Sequence, residues 1–289
     1  MTEVHVSVVI PTLNAEKYIA QQLDDLKKQT VQPSEILVID SSSSDNTVQL
    51  ARKHGAKVIV IKRSEFNHGG TRHQGFLNTS GEFTIFFTQD AVMNDPECIK
   101  NLIAPFSDSD IAMTTGRQIP KGDARPFEAL VRKFNYPDES SIRSKADLPR
   151  LGIKTYFASD VCAAYRRSAY LEAGGFPRPC NTNEDMLMAA IFINRGFKVA
   201  YTANATVSHS HNLSLKEQYR RNKAIGYCLE KNQKILGNVQ EIGEGGRLVK
   251  AVMKKLVAER HFIEAFAFAA DCGARLLGNR SGRATAKKE

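Results

Sequence analysis

Residues 84–95 read TIFFTQDAVMND, and the fold turns on how this stretch is read. Its apolar run, Ile85, Phe86 and Phe87, is short enough to be a strand buried on both faces. It then turns polar at once, through Thr88, Gln89 and Asp90. In open α/β sheets ligands sit beyond the carboxyl ends of strands, so a carboxylate just past a buried strand stands where chemistry is done. Asp90 could hold a hard divalent cation, which takes oxygen ligands and shares them with a substrate diphosphate. It could equally cap the next turn, or the helix that starts near Pro96.

The same alternation runs outward from this stretch. Residues 4–11 (VHVSVVIP) read as a first buried strand, followed by a turn at 12–14 and helical spacing through Ile19, Leu23 and Leu26. Residues 35–40 (EILVID) form a second β-rich run that again ends on a carboxylate, and 47–54 a helix capped by Asp45 or a serine. A third strand at 56–61, a loop at 63–72, a helix at 74–78 and the strand 83–87 follow. Downstream come a helix at 96–106, a strand at 111–116 and a polar, proline-bearing stretch at 117–152 that suits an active-site loop or a helical insertion. Then come a strand at 162–165, a short helix stopped by Gly174 and Gly175, a helix at 184–195 and a strand at 198–201. From 215 the pattern is wholly helical, with a hinge at 237–246, a last long helix at 247–277 and disorder in the final ten residues. Strands alternating with helices call for a mostly parallel sheet covered on both faces.

A chain of 289 residues can bury one large core, with or without a helical appendage. No apolar run reaches the length of a membrane span, and no basic region precedes the first apolar stretch, so a cytoplasmic protein without an export signal is expected. The five cysteines are odd in number and never spaced as CxxC, which argues against a disulfide framework and against a zinc site. Residues 213–289 hold 16 basic and 8 acidic residues, nearly the whole net charge of +9. Such a tail can meet anionic lipid, nucleic acid or nothing in particular.

Six polar constellations sit at strand ends or helix starts: PTLN (11–14), DSSSSDNT (40–47), FNHGGTR (66–72), TQD (88–90), NED (183–185) and SHSH (208–211). Gly69 and Gly70 allow close backbone approach and Arg72 offers a fork of donors suited to phosphate, although a lone HGG is more often a tight turn. His209 and His211 are two apart and would face one side of a strand. Glu184 and Asp185 favour a helix N-terminus in any case. Arg220 and Arg221 could neutralise a diphosphate, though exposed arginines usually do nothing specific.

In this order the motifs resemble the inverting glycosyltransferases of family 2, over about residues 4–225. FNHGGTR together with TQDA is similar to a subgroup of bacterial rhamnosyltransferases that build polysaccharide from dTDP-L-rhamnose. The resemblance implies the α/β GT-A fold, with a Rossmann-like, mostly parallel sheet over residues 1–225 and a basic helical extension over 226–289. It implies that Asp40 accepts a hydrogen bond from the imide of the nucleotide base, with Thr12 against the same base or ribose. Asn14, Asn67, His68, Gly69, Gly70, Arg72, Gln89, Arg220 and Arg221 are counted with the donor site. It also implies Mg2+ or Mn2+ held by Asp90 and completed by His209 or His211, with Thr88 standing where many relatives have the first Asp. Asp185, beside Glu184, becomes the general base that takes the proton of the acceptor hydroxyl.

Val249, Val252, Leu256, Ile263 and Phe266, ringed by Lys250, Lys254, Lys255 and Arg260, make the extension amphipathic and basic. That suits the inner face of a membrane carrying lipid-linked acceptors, or packing on the chain's own domain or on a second subunit in a homodimer. Two rivals remain. A sugar-nucleotide pyrophosphorylase would want a Gly- and Arg/Lys-rich loop after its first strand, where this chain has PTLNAEKY. A non-catalytic basic module would bind polyanions in a strongly salt-dependent way, and a nucleic-acid partner is not expected.

Overall fold

Four β-rich runs become the strands β1 (Val6–Thr12), β2 (Glu35–Asp40), β3 (Lys57–Val60) and β4 (Phe83–Phe87) in a computed structural model that describes residues 4–237, 239 and 243–289. They are followed by β5 (Val92–Met93), β6 (Ile111–Ile119), β7 (Ser141–Arg143), β8 (Cys162–Arg166) and β9 (Lys198–Ser208). Among the described residues these strands form one sheet, ordered β3-β2-β1-β4-β8-β6-β9-β5, with β7 also paired to β9. β1 pairs in parallel with both β2 and β4, β2 with β3, and β6 with β9. β8 runs antiparallel to its neighbours β4 and β6.

The chain moves from β1 to β2 and β3 on one side and then crosses back to place β4 on the other. The carboxyl ends of β1 and β4 therefore splay at a reversal of strand order, where open α/β sheets make their ligand crevice. The quoted stretch turns polar at this point, which is why Thr88, Gln89 and Asp90 face a cavity.

The helices are α1 (Glu16–Lys27), α2 (Thr47–Lys53), α3 (His68–Leu77), α4 (Cys98–Ile103), α5 (Pro126–Asn135), α6 (Leu148–Leu151), α7 (Arg167–Glu172) and α8 (Glu184–Asn194). The C-terminal part adds α9 (Leu215–Lys231), α10 (Gln233–Leu236), α11 (Glu244–Ala258) and α12 (Phe262–Ala286). Alternation along the strands feeds two cores. Val9 and Phe86 pack with Phe76, Tyr165, Tyr170 and Phe192 on one face. Val8, Ile10, Ile85 and Phe87 pack with Ile19, Leu23 and Ile99 on the other. Both faces are covered, so the strands read as continuous apolar runs rather than alternating ones. Truncating a fully buried aromatic such as Phe86 to Ala would cost about 3–5 kcal/mol.

Several local expectations change. The loop expected at 63–72 already contains the first turn of α3, because Asn67 caps it by accepting from the Gly70 N–H at 2.7 Å. The strand expected at 198–201 continues to Ser208 and so carries the histidines to the cavity. The single last helix is two, α11 and α12, separated at Arg260, whose φ of 60° is left-handed. The final ten residues are not disordered: α12 runs to Ala286 and packs along α9. Glycines permit that approach, since a Cβ at Gly282 would run into the Lys223 carbonyl oxygen. The boundary expected at 225 falls inside α9, and the expected hinge at 237–246 lies partly outside the described residues.

Of the amphipathic set, Val252 and Leu256 are buried against Phe127 and Val131 of α5, while Ile263 and Phe266 stay 84% and 80% exposed. Among the described residues no helix is long and apolar enough to cross a membrane.

Candidate active site

A cavity of about 1150 Å³ opens at the switch between β1 and β4, lined by residues 11–13, 88–90, 121–123 and 208–212 among others. Gln89 locks its rim. The Leu13 N–H donates to Gln89 Oε1 at 2.8 Å, and Gln89 Nε2 donates to the Leu13 carbonyl at 3.1 Å. From below, Gln22 Nε2 on α1 donates to the carbonyls of Thr88 and Ala91 at 2.8 and 3.1 Å. The hydroxyls of Ser41 and Thr88, both lining the cavity, are buried without a protein partner. Buried polar atoms are otherwise almost always satisfied, so these two fit a polar ligand.

Asp40 is fully buried at the end of β2, directly across from Thr12 in register. Its Oδ2 accepts from the hydroxyls of Thr12 (2.9 Å) and Ser43 (2.5 Å), and its Oδ1 from the Ser43 N–H at 2.8 Å. It stands behind Thr12 and does not line the cavity wall. Asn14, in a left-handed turn, accepts from the Ser44 N–H at 2.9 Å and ties the loop after β1 to the loop after β2. Its side chain is used for that tie and lines no part of the cavity.

The ends of β4 and β9 bring Asp90, His209 and His211 together, with their donor atoms all within 4.8 Å of one another. His209 Nε2 lies 3.4 Å from Asp90 Oδ1, His211 Nε2 lies 3.5 Å from Oδ2, and the two Nε2 atoms are 3.1 Å apart. On its far side the His209 ring donates from Nδ1 to Gln118 Oε1 at 3.1 Å. Gln118 also accepts from Arg132 and donates to the Tyr136 hydroxyl at 2.7 Å. That bond orients the ring so that Nε2 faces Asp90, the orientation of a metal-ligating imidazole. Two imidazoles and a carboxylate converging on one point fit a divalent cation. Burial pushes the Asp90 carboxyl up, but His209 and Lys121 outweigh it and hold the group well below the usual range. Burial lowers both histidines. Lys121, whose Nζ is 3.1 Å from Asp90 Oδ2, had no motif to announce it; only a proline after an apolar strand precedes it.

Asp185 sits in the first turn of α8, where Oδ1 accepts from the Met186 N–H at 2.7 Å and Oδ2 from the Asp160 N–H at 3.1 Å. Burial, reinforced by the neighbouring Glu184 charge, pushes it up to about 6, where a carboxylate works as a base near neutral pH.

Glu184 and Arg72 form a buried ion pair at the edge of the site. Arg72 is 3% exposed, with Nη1 2.9 Å from Glu184 Oε1 and Nε 3.2 Å from Asp160 Oδ2. It nonetheless lines the cavity beside His68, and its Nε makes no hydrogen bond to Asp160, so the two buried carboxylates hold the guanidinium at the cavity wall. Asp160 was missed by the sequence reading; its one signal was a carboxylate just before an apolar run, CAAY. Burial raises it well above the ordinary range, and the Tyr165 hydroxyl donates to it at 2.6 Å. His68 accepts from Arg72 Nη1 at 3.0 Å and lines the cavity, and burial together with Arg72 lowers it to about 4, so it is neutral. Gly69 and Gly70 serve packing: a Cβ at Gly69 would meet the Pro177 carbonyl oxygen at 2.6 Å, and one at Gly70 the Asn67 side chain at 2.7 Å. Asn67 is the cap of α3. Arg221 reaches the site only through its charge, felt by His68 and His211. Arg220 is not at this site and lines a second cavity instead.

The crevice at the strand switch carries a carboxylate and two imidazoles on one wall. The raised carboxyl, Asp185, does not line it, but its charge reaches His68 on the lining. This is the equipment of a transferase of the GT-A fold. Solved structures share that architecture. The mannosyltransferase PcManGT of Pyrobaculum calidifontis, solved with GDP-Man and Mn2+, superposes with a TM-score of 0.66 over 99% of this chain and 88% of its own, at 14% identity. That likeness is one of fold. The chain belongs to glycosyl transferase family 2, whose family model matches residues 7–174. It is 43% identical to the O-antigen chain rhamnosyltransferase RfbN of Salmonella typhimurium, over 89% of this chain and 83% of that protein. It is 40% identical to WbaN of Salmonella anatum, also an O-antigen chain rhamnosyltransferase, over 89% and 82%.

Proposed function

We infer that this glycosyltransferase moves L-rhamnose from dTDP-L-rhamnose to a hydroxyl of a polysaccharide or lipid-linked saccharide, with inversion at the anomeric carbon. The observation that carries the chemistry is the Asp185 carboxyl, held by two backbone N–H groups and raised to about 6. The sugar identity draws on the similarity to RfbN and WbaN.

In a single displacement the acceptor oxygen bonds to the anomeric carbon from the face opposite the diphosphate. The bond from that carbon to the diphosphate oxygen breaks, and the hydroxyl proton passes to Asp185. A positioned base contributes roughly 10²–10⁴-fold. Glu184 does not move a proton; paired to Arg72, it raises Asp185 through its charge. The nucleoside end lies against Thr12 and Ser41, with Asp40 beneath them. Asp90, His209 and His211 would hold Mn2+ more readily than Mg2+, because two of the three ligands are imidazoles. When bound, such an ion offsets charge on the departing diphosphate. Lys121 brings a fixed positive charge to the same wall.

Where α11 turns into α12, Phe262, Ile263 and Phe266 are exposed beside Arg260, a composition that suits peripheral contact with anionic lipid. Sedimentation with anionic and neutral vesicles checks this, and Ile263→Glu with Phe266→Glu should abolish it.

The test of the donor is release of nucleoside diphosphate with Mn2+ from dTDP-L-rhamnose, UDP-GlcNAc and GDP-mannose in parallel. Preferential release from either of the latter two would replace the rhamnose reading.

A further inference from the structure

Helix α9 turns one face to a second cavity, of about 620 Å³, that shares no lining residue with the larger one. Arg220, Lys223, Tyr227 and Lys231 line it. Their spacings of three and four residues stack them on one side of the helix. At helical rise the stripe runs about 16 Å. The facing wall is residues 179–182, the segment that leads directly into Glu184 and Asp185. Only Asn183 separates that wall from Glu184 in the chain, so the cavity adjoins the proposed base.

The charge of this face is only partly offset, by the Glu289 carboxylate that accepts from the Tyr227 hydroxyl at 2.6 Å and by Glu217 near Arg220. Among the described residues none of the three cations is in an ion pair, and Lys231 only lies over the Tyr227 ring at 5.7 Å. The Ser214 hydroxyl and N–H, donating to Glu217 at 2.6 and 2.8 Å, and after them the Arg220 charge, hold that carboxyl below its ordinary range. Glu230, the other acid of α9, is taken by Arg283 and Lys287. Like charges one turn apart repel, so Arg220 and Lys223 strain the helix unless an anion lies between them. A concave, basic face with an aromatic edge collects anions.

The geometry points to an acceptor subsite. This cavity takes the phosphate or diphosphate group carried by the acceptor saccharide and directs the sugar beyond it toward Asp185, an assignment that rests on the reading of Asp185 as the base. Arg220 thereby belongs to the acceptor and not to the donor diphosphate.

Calorimetry with farnesyl diphosphate, on protein saturated with dTDP and Mn2+ so that the donor cavity is filled, reads this subsite directly. One site is expected, weakened about tenfold or more in Arg220→Gln/Lys223→Gln/Lys231→Gln, with dTDP affinity within about twofold of wild type. Removing three charges elsewhere, in Lys250→Gln/Lys254→Gln/Lys255→Gln, should change neither. No binding to the wild type, or equal losses in the two triple variants, overturns the subsite. Inorganic pyrophosphate should displace the farnesyl compound, because the cations recognise the diphosphate; binding that pyrophosphate does not displace would overturn the subsite. If dTDP itself fails to bind, the donor reading falls. Loss of farnesyl diphosphate binding confined to the first triple variant still upholds the subsite.

Discussion

The backbone N–H of Asp160 donates to Oδ2 of Asp185 at 3.1 Å, while the Asp160 carboxylate lies 3.2 Å from Arg72. One residue thus holds the proposed base in place and, through its side chain, fastens the arginine that neutralises Glu184 behind it. The base stands at the edge of a buried cluster of charges, and its properties follow from that cluster.

Asp185→Asn should keep nucleotide binding and lose transfer by roughly 10²–10⁴-fold. Single-turnover transfer set beside dTDP titration separates the two effects. Near wild-type transfer would remove Asp185 from the mechanism.

The same substitution should make stability less dependent on pH. The folded pKa of Asp185, about 6, lies above its ordinary 3.8, so the wild type loses stability as pH rises through that interval. Asparagine has no proton to lose. The amide NH2 must face one of the two backbone N–H groups, a pH-independent loss, so thermal melts should show Asp185→Asn gaining on the wild type by up to about 3 kcal/mol between pH ~4 and pH ~8. A gap independent of pH would contradict the raised carboxyl.

Transfer should itself follow this titration. The base acts deprotonated, so kcat/KM is expected to rise with pH, level off above about 6, and fall tenfold per unit on the acid side. A limb centred near 4 would point to an ordinary carboxyl and away from this environment.

Arg72→Met leaves Glu184 and Asp160 buried without their counter-charge, and should cost about 3–5 kcal/mol in chemical denaturation. The loss should shrink at acid pH, where protonated carboxyls need no partner. A loss that stays constant with pH would show that packing, not charge, is what Arg72 supplies.

Gln118→Leu removes the acceptor of the His209 Nδ1–H without touching the three candidate ligands, and should weaken Mn2+ binding about 10–100-fold. Metal and dTDP should each raise the other's affinity by the same factor, and Asp90→Ala should abolish that coupling. Wild-type dTDP affinity indifferent to Mn2+ would take the metal role from Asp90, His209 and His211.

Much of the fold was legible in the sequence because its signals are local. The Val- and Ile-rich runs that became β1 and β2, and the aromatic run that became β4, are buried on both faces and carry that fact in their own composition. Because each strand ends by turning polar, the chain itself marks Thr12, Asp40 and Asp90 as the tips that meet at the switch. What it does not carry is the choice of partners. Arg72 stands in a motif suited to phosphate, but only the fold shows that Glu184 and Asp160, far along the chain, lie within ion-pair distance and hold it at the cavity wall. Gln118 and Lys121 lie in a stretch with no motif, and gain their roles only when β6 and β9 lie side by side. The polar last turns of α12 look disordered in isolation, and are ordered by glycines that fit against the backbone of α9. Periodicity reports burial along one segment, whereas desolvation and charge pairing depend on which distant segments share a site, and tertiary packing alone decides that.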